Sequence, residues 1–268
     1  ASENKNMLQI IFFALIFGIS MVLIDSKKTQ YVKGFIEGLN DIILKIVDII
    51  MLFSPYGVFA LLASLISDFG ASSDLFVALG MYCFTVVLGL LLMIFMFYPF
   101  LLKLFTKVNY SEFFSSISPA QMLAFSTSSS AATLPVTMER CEEKLGISKE
   151  ISSFVLPLGA TINMDGTSLY QAVAAVFIAQ ALHTPDVPML LDINDQLKIV
   201  LTTVLASIGT AAVPGAGIVM LVIILESVGV PSGGIALILG VDRILDMIRT
   251  TVNVTGDATI AVLIADSE

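Results

Sequence analysis

Tryptophan is absent from these 268 residues, histidine occurs once, cysteine twice, and Asp, Glu, Lys and Arg together make only 13% of the chain. Soluble domains carry about 25% charged residues, so the shortage of charge argues against a soluble globular protein. The two cysteines, Cys83 and Cys141, lie far apart and match no metal or redox spacing, which leaves them as inert packing residues. His183 stands where a polar loop begins, and a solvated side chain is its default reading. Lys and Arg number 13 against 22 Asp and Glu, a net charge of −9 without a basic patch, so nucleic acid is excluded as a partner. No signal-peptide pattern opens the chain. It starts at Ala1, with the first methionine, Met7, inside a polar-to-apolar transition, as expected of a truncated or processed start.

What is abundant is apolar: 57% of residues are hydrophobic and the mean hydropathy is +0.96. Several apolar runs reach the roughly 20 residues needed to cross a bilayer, which predicts a polytopic, all-α membrane protein. Met7 to Ile24 reads as a first span. Asp25 to Asn40 is polar and holds Lys27, Lys28 and Lys33. Ile42 to Ile66 is a second span, with a kink expected at Pro55. Ser67 to Asp74 is a short acidic loop, and Leu75 to Phe105 a long third span closed by Lys103 and Lys107.

The following segments are too short to be ordinary spans. Apolar stretches of about 8–12 residues flank Ser126 to Pro135, a run of Ser, Thr and Ala ending in proline. A charged cluster from Glu139 to Lys144 follows, then Lys149. Ile151 to Ile162 breaks at Asn163-Met164-Asp165-Gly166-Thr167 before Leu169 to Leu182 resumes. His183 to Gln196 is a loop with three Asp, and Leu197 to Ile208 is half-length, ending in Gly209 to Gly217. Ile218 to Leu225 runs away from that tip, and Gly234 to Ala265 is the last span. Positively charged loops favour the cytoplasmic side. That rule puts Lys27, Lys28, Lys33, Lys103, Lys107, Arg140, Lys144 and Lys149 inside, and the loops 67–74 and 184–196, which lack Lys and Arg, outside. Both half-length pairs then enter and leave from one side, and from opposite faces, as two re-entrant hairpins. Interrupted segments paired in two halves point to a transporter site at mid-membrane. The alternative reading of the Ser/Ala/Gly runs is a close helix-packing seam.

The last span carries Asp242, Arg243, Asp246, Arg249, Asn253 and Asp257. From Asp242 the offsets to Asp246, Arg249, Asn253 and Asp257 are 4, 7, 11 and 15. At about 100° per residue these five side chains share a sector of roughly 80°. A charge at mid-bilayer costs about 2.5–3.5 kcal/mol on insertion scales, so such a row requires a polar cavity or partners. Arg249 can hold an acidic side chain through a two-point fork, and Asp246 an amino group. Asn253 and Asp257 lie further along the same face and suit substrate or sodium. Arg249 pairing only with Asp246 or Asp242 is the structural alternative. At the Asn163–Thr167 break, Asn and Asp offer hard oxygen ligands for a cation, against a kink satisfied by local hydrogen bonds. Hairpin tips offer free N–H groups for a carboxylate and free carbonyls for sodium.

Four motifs in order, S-S-S-A-A-T-L-P, L-G-A-T-I-N-M-D-G-T, S-I-G-T-A-A-V-P-G-A-G and R-T-T-V-N-V-T-G-D, closely resemble the glutamate/aspartate transporter family of sodium-coupled, and in some bacteria proton-coupled, symporters. The resemblance covers essentially the whole chain and the later part of the family pattern, as a bacterial-type member lacking the first three helices and the start of the fourth. It implies a polytopic helical bundle with two opposed re-entrant hairpins, broken helices, an inverted repeat and elevator-type alternating access. Residues 1–67 would form scaffold and trimerisation helices, and 68–268 the transport domain. It implies that Ser128, Ser129 and Ser130 face the substrate from hairpin one. Thr167, Asp246, Arg249, Thr250 and Asn253 would hold the amino acid, with Val213 and Gly217 adding backbone contacts from hairpin two. One sodium would sit on Asp257 with backbone oxygens of Gly159, Asn163 and Asn253. A second would use those of Thr161, Ser207, Ile208 and Thr210. A third would involve Asn163 and Asp165, its other ligands preceding this chain. Na+ is thus the implied coupling ion, and the implied assembly a homotrimer in the lipid of the cell membrane.

Departures from the family pattern bear on coupling. Archaeal members carry Arg where this chain has Ser128, and animal members carry Arg where it has Met247. Arg243 one turn earlier is the only other candidate, an arrangement similar to certain bacterial proton-coupled relatives. Those tend to have Asn in place of Asp257, so Asp257 favours sodium and Arg249 favours an acidic substrate. The expectation is a non-enzymatic, sodium-driven importer of aspartate or glutamate, the alternative a proton-coupled glutamate or C4-dicarboxylate symporter. A passive ion channel and an intramembrane hydrolase are remoter. The hydrolase lacks a base for serine, since His183 is in a loop, and Arg249 among the carboxylates favours their ionised forms against an aspartyl pair.

Overall fold

The computed structural model describes residues 13, 16–53, 55–57, 59, 60, 63, 67, 73–183 and 189–268. Those residues are overwhelmingly helical and contain no strand. The chain divides into two compact units, Ala1–Pro55 and Tyr56–Glu268. The boundary expected between residues 67 and 68 adjoins residues outside the description. Residues 7–12, 14 and 15 of the first span, parts of the end of the second and parts of the two acidic loops also lie outside it; in the rest of the first span, Phe13 and residues 16–23 are helical.

In the first unit, α1 runs from Ser26 to Leu52. It passes straight through the polar stretch Asp25 to Asn40. The physical reason is spacing: Val32, Phe35, Ile36, Leu39, Ile42, Ile43 and Ile46 keep the three- and four-residue intervals of one helical face, so the lysines change the surface and not the conformation. α1 stops at Leu52, Phe53 is a turn residue and Pro55 to Gly57 are helical again; Ser54, beside the kink expected at Pro55, lies outside the described residues.

In the second unit the expected third span is α2 (Ser73–Leu92), a π-helical turn (Met93–Phe97) and α3 (Tyr98–Phe105). The stretch Phe76–Phe105, 30 residues, is the one among the described residues long and apolar enough to cross a membrane by length and composition. Its π turn closes with the Tyr98 N–H bonded to the Met93 carbonyl, immediately before Pro99. Two helix pairs follow. The first is α4 (Tyr110–Thr127) and α5 (Ser130–Glu143); α6 (Lys149–Ile162) and α7 (Asp165–Ala181) then flank a break at Asn163-Met164. The second pair is α8 (Ile193–Ile208) and α9 (Ala216–Ser227). A short 3-10 turn (Ser232–Ile235) leads into α10 (Ala236–Ser267).

The arms of the pairs are longer than the apolar runs suggest, because their Ser and Thr stay helical by bonding back to carbonyls one turn earlier. Thr127 donates to the Leu123 carbonyl at 2.8 Å and Thr133 to the Ser129 carbonyl at 2.8 Å. Even so, α5 has 14 residues and spans only about 21 Å, short of the roughly 30 Å hydrocarbon core. The helix starts are capped as their sequences direct. Asn109 accepts from the Ser111 N–H, Ser148 from Ile151, and Asp192 with Asp195 forms a capping box that starts α8 inside the expected loop.

α10 organises this unit. It touches α2, the π turn, α3, α4, α5, α6, α7 and the 3-10 turn, while α8 and α9 pack on α7. An apolar cluster at one end joins Leu102, Phe113, Ile117, Cys141, Leu156, Ala258 and Val262. Cys141 is free and fully buried there, and Cys83 is free and partly buried.

Candidate functional site

The charged row of α10 is buried inside this helical unit. Asp242, Asp246, Arg249, Asn253 and Asp257 are each no more than 5% exposed, whereas Ile244 on the outer face is 63% exposed. The row meets the turns of both helix pairs. The Ser129 hydroxyl donates to the Ala212 carbonyl at 2.7 Å, which joins the first turn to the second. The Gly215 N–H, in the second turn, donates to Asp246 Oδ2 at 2.9 Å.

These elements enclose a cavity of about 20 Å³ lined by Ser128, Ser130, Met164, Thr167, Thr210 to Val213, Gly217, Asp246, Arg249, Thr250 and Asn253. It thus gathers every residue expected around a substrate except Ser129. That hydroxyl is committed elsewhere, capping α5 through the Ala132 N–H and bonding Ala212. Ser128 turns the corner in the left-handed region at φ 53°, and its buried hydroxyl has no hydrogen-bond partner. The volume holds about one water molecule. A larger cavity of about 570 Å³ lies between α2 and α7, lined by Ala78, Met81, Val173, Val176 and Phe177 among others, without a charged group. The small cavity, with its convergent polar groups, is the stronger candidate for recognition.

Arg249 is held from three sides. Its Nη2 lies 2.6 Å from Asp246 Oδ1, its Nη1 3.8 Å from Asp242 Oδ1, and its guanidinium carbon 4.3 Å from the centre of the Tyr170 ring. Nη1 makes no hydrogen bond. The pairing alternative for Arg249 is therefore realised in geometry, with one donor nitrogen left over beside the cavity. Gly217 is what allows the guanidinium to lie so close: a Cβ there would stand 2.8 Å from Nη1. Gln171, fully buried, donates to the Gly217 carbonyl at 3.0 Å and fixes that approach. Tyr170, Asp242 and Gln171 were not among the expected substrate residues. A sequence signal existed for Tyr170 and Gln171, which follow Thr167 by three and four residues and so share its helix face.

The Asn163–Met164 break is satisfied by α10. Asn253 Oδ1 accepts the Gly166 N–H at 2.9 Å, one of the orphan donors at the start of α7, and its amide nitrogen donates to Thr167 Oγ1 at 3.0 Å. Asn163 donates to Asp257 Oδ1 at 3.0 Å, and a Cβ on Gly159 would meet that same oxygen at 2.7 Å. Gly159, Asn163 and Asp257 are thus neighbours, while the Asn253 side chain serves the N-terminus of α7. Asp165 stands apart from them in its bonding, accepting from the Tyr98 hydroxyl at 2.8 Å.

The second expected sodium set is less closed. Ser207 and Thr210 are buried, and the Thr210 N–H takes the Ser207 carbonyl at 3.1 Å. Ile208 is exposed. Thr161 is exposed too, its hydroxyl turned back to the Leu158 carbonyl at 2.8 Å. Among the described residues no group of three or more His, Cys, Asp or Glu side chains is placed to hold a metal ion. His183 is exposed, and its Nδ1 accepts the Met189 N–H at 3.0 Å.

The arrangement defines a class: a helical protein in which the turns of two helix–turn–helix pairs meet beside buried charges of both signs. Comparison with known proteins gives the family. Residues 1–267 match the sodium:dicarboxylate symporter family. The chain is 43% identical over 259 residues to excitatory amino acid transporter 2 of Mus musculus, covering 96% of this chain and 44% of that protein. It is 41% identical over 260 residues to excitatory amino acid transporter 1 of Ambystoma tigrinum (96% and 46%). It is 40% identical over 259 residues to an excitatory amino acid transporter of Caenorhabditis elegans (96% and 50%). The chain belongs to the sodium:dicarboxylate symporter family, and it spans half or less of the length of these relatives, which are transporters by name and not enzymes.

Proposed function

We propose that this chain is the substrate-handling part of a sodium-coupled symporter of acidic amino acids, aspartate or glutamate. The observation that carries the reading is the buried Asp242–Arg249–Asp246 group facing two turns that meet each other. Arg249 receives the substrate's side-chain carboxylate, Asp246 its amino group, and Ser128, Ser130, Thr167, Thr250 and Asn253 its remaining polar atoms. Val213 and Gly217 contribute backbone groups.

Binding begins with an exchange. Arg249 is already paired with Asp246, so a ligand carboxylate replaces part of that pair with a two-point contact, and the ligand amine compensates Asp246. Two of the ligand's three charged groups thus meet opposite charges of the protein, and its α-carboxylate falls to the neutral donors of the two turns. An aspartate is far larger than about 20 Å³, so the 209–217 turn lifts to admit it and closes behind it. Sodium is cargo. Asp257 with Gly159, Asn163 and Asn253 forms one site, Thr161, Ser207, Ile208 and Thr210 a second, and Asn163 with Asp165 part of a third. Each supplies hard oxygen, the ligand type a small hard cation prefers.

In the full-length protein the two helix pairs are re-entrant hairpins on opposite membrane faces, with the lysine-bearing loops cytoplasmic. Residues 68–268 form a mobile domain that moves elevator-fashion against a scaffold including residues 1–67, and three copies assemble through that scaffold in the cell membrane. Exposed apolar side chains along α1, among them Phe35, Ile42 and Ile49, suit contact with lipid or another copy. The second reading, proton-coupled uptake of glutamate or a C4-dicarboxylate, is favoured only by Arg243 in place of an arginine at Met247. The test is uptake of labelled aspartate into proteoliposomes of the full-length protein, with and without a sodium gradient. Sodium-dependent accumulation supports the proposal; sodium-independent accumulation removes the coupling, and no uptake of any amino acid or dicarboxylate removes the transporter.

A further inference from the structure

We propose that Tyr98 is a positioning residue for the cation held at Asp165. This rests on the reading of Asp165 as a sodium ligand and adds a residue from a different helix. The Tyr98 hydroxyl donates to Asp165 Oδ2 at 2.8 Å and lies 3.3 Å from the Val252 carbonyl. The ring is 2% exposed. The other carboxylate oxygen, Asp165 Oδ1, is buried without any hydrogen-bond partner. A buried carboxylate oxygen left bare costs free energy unless a donor or cation meets it. One oxygen anchored and one bare is the arrangement that presents a fixed ligand to an ion.

The helix carrying Tyr98 is built to aim it. From Tyr82 onward its buried residues recur every four positions: Tyr82, Val86, Leu90, Ile94, Tyr98 and Leu102. Each four-residue step overshoots a 3.6-residue turn by about 40°, so twenty residues of plain α-helix would carry this stripe roughly 200° around the axis. The π turn Met93–Phe97 inserts one extra residue, worth about 100°, and returns Tyr98 and Leu102 to the bundle. The opposing surface is shaped for the hydroxyl. At Gly256 on α10 a Cβ would stand 2.8 Å from Tyr98 Oη, 3.2 Å from Asn163 Nδ2 and 3.3 Å from Asp165 Oδ2. Glycine at that position therefore lets α10, the α6–α7 break and α3 converge on one carboxylate. Phenylalanine would fill the same space, so packing alone does not account for the hydroxyl.

The experiment uses the full-length protein and compares Tyr98→Phe and Asp165→Asn with the unaltered sequence. Two quantities are read. One is the sodium concentration giving half of the sodium-induced rise in melting temperature without substrate. The other is aspartate affinity against sodium concentration by titration calorimetry. Tyr98→Phe is expected to raise the half-saturating sodium concentration about tenfold, the effect of losing one hydrogen bond to a charged group, and to leave aspartate affinity at saturating sodium near its original value. Gly256→Ala, which crowds the hydroxyl from the other side, is expected to move sodium the same way and serves if Tyr98→Phe does not fold. A Tyr98→Phe protein with unchanged sodium dependence, whether or not its melting temperature falls, overturns the inference while Asp165→Asn still weakens sodium. If Asp165→Asn leaves sodium dependence intact, the underlying cation reading fails as well.

Discussion

Asp246 holds two partners at once: Oδ1 sits 2.6 Å from Arg249 Nη2 while Oδ2 accepts the Gly215 N–H at 2.9 Å. One carboxylate thus ties the charged row of α10 to the turn between α8 and α9. Anything that competes for Arg249 also changes the hold on that turn, so under the proposed function substrate recognition and closure of the turn would share a group.

The first prediction concerns that carboxylate. Asp246→Asn keeps the shape and an acceptor for Gly215 but removes the charge that would meet an amino group. Losing one partner of a buried charge pair costs about 2–5 kcal/mol, so aspartate affinity is expected to fall at least about thirtyfold. A dicarboxylate without an amino group, such as succinate, is expected to lose much less. Competition of both compounds against labelled aspartate checks this, and equal losses for the two would contradict the assignment of Asp246 to the amine.

Gly217 gives a separable test of closeness. Gly217→Ala adds a methyl that would stand 2.8 Å from Arg249 Nη1, and the guanidinium must shift. Alanine is otherwise favourable by about 0.5–1 kcal/mol in a helix, and Gly217 lies in the first turn of α9. We expect acidic amino-acid affinity reduced about tenfold, with stability lowered by an overpacking cost of about 1–3 kcal/mol that the alanine gain only partly offsets. Reduced stability with unchanged affinity would show that the glycine serves folding alone.

Asp257 separates the coupling ions. Asp257→Asn retains a polar side chain facing Asn163 but removes the negative charge, and a sodium ion held there loses its counter-charge. Half-saturating sodium for aspartate binding is expected to rise about tenfold or more, in line with hydrogen-bond and ion-pair energies of roughly 1.5–3 kcal/mol for charged groups. Titration at graded sodium concentrations reads it. Unchanged sodium dependence would remove Asp257 as a sodium ligand, and aspartate binding independent of sodium in both proteins would favour the proton-coupled reading.

The parts of this protein legible in its sequence were those marked by residues with one conformational use. Asn163-Met164-Asp165-Gly166 announced a helix break, and the break is there, narrowed to Asn163 and Met164. The Ser-rich turn fell at Ser128–Ser129, and the polar offsets on the last helix did fall on buried positions, although from Val252 to Thr259 that helix is buried on every side. Less legible were features decided by packing. The lysines before Asn40 obscured the apolar spacing that carries α1 from Ser26 to Leu52. The π turn ahead of Tyr98 leaves no local signature beyond Pro99, because it answers to the drift of a buried stripe over twenty residues. The Asp192–Asp195 capping box was visible as a pair of acids but was absorbed into an acidic loop. Tyr170 under Arg249 and Ser129 bonded to Ala212 depend on which side of a helix a neighbour occupies, which spacing along one chain does not fix.

The most direct measurement of the central claim is calorimetric titration of aspartate into the full-length protein at saturating sodium, with Arg249 intact and with Arg249→Gln. The account predicts at least about a hundredfold loss for aspartate and glutamate, from removal of a buried two-point charge contact, while a neutral amino acid such as alanine or serine gains on them. Unchanged affinity for the acidic amino acids would contradict it, leaving Arg249 as a partner of Asp242 and Asp246 and nothing more.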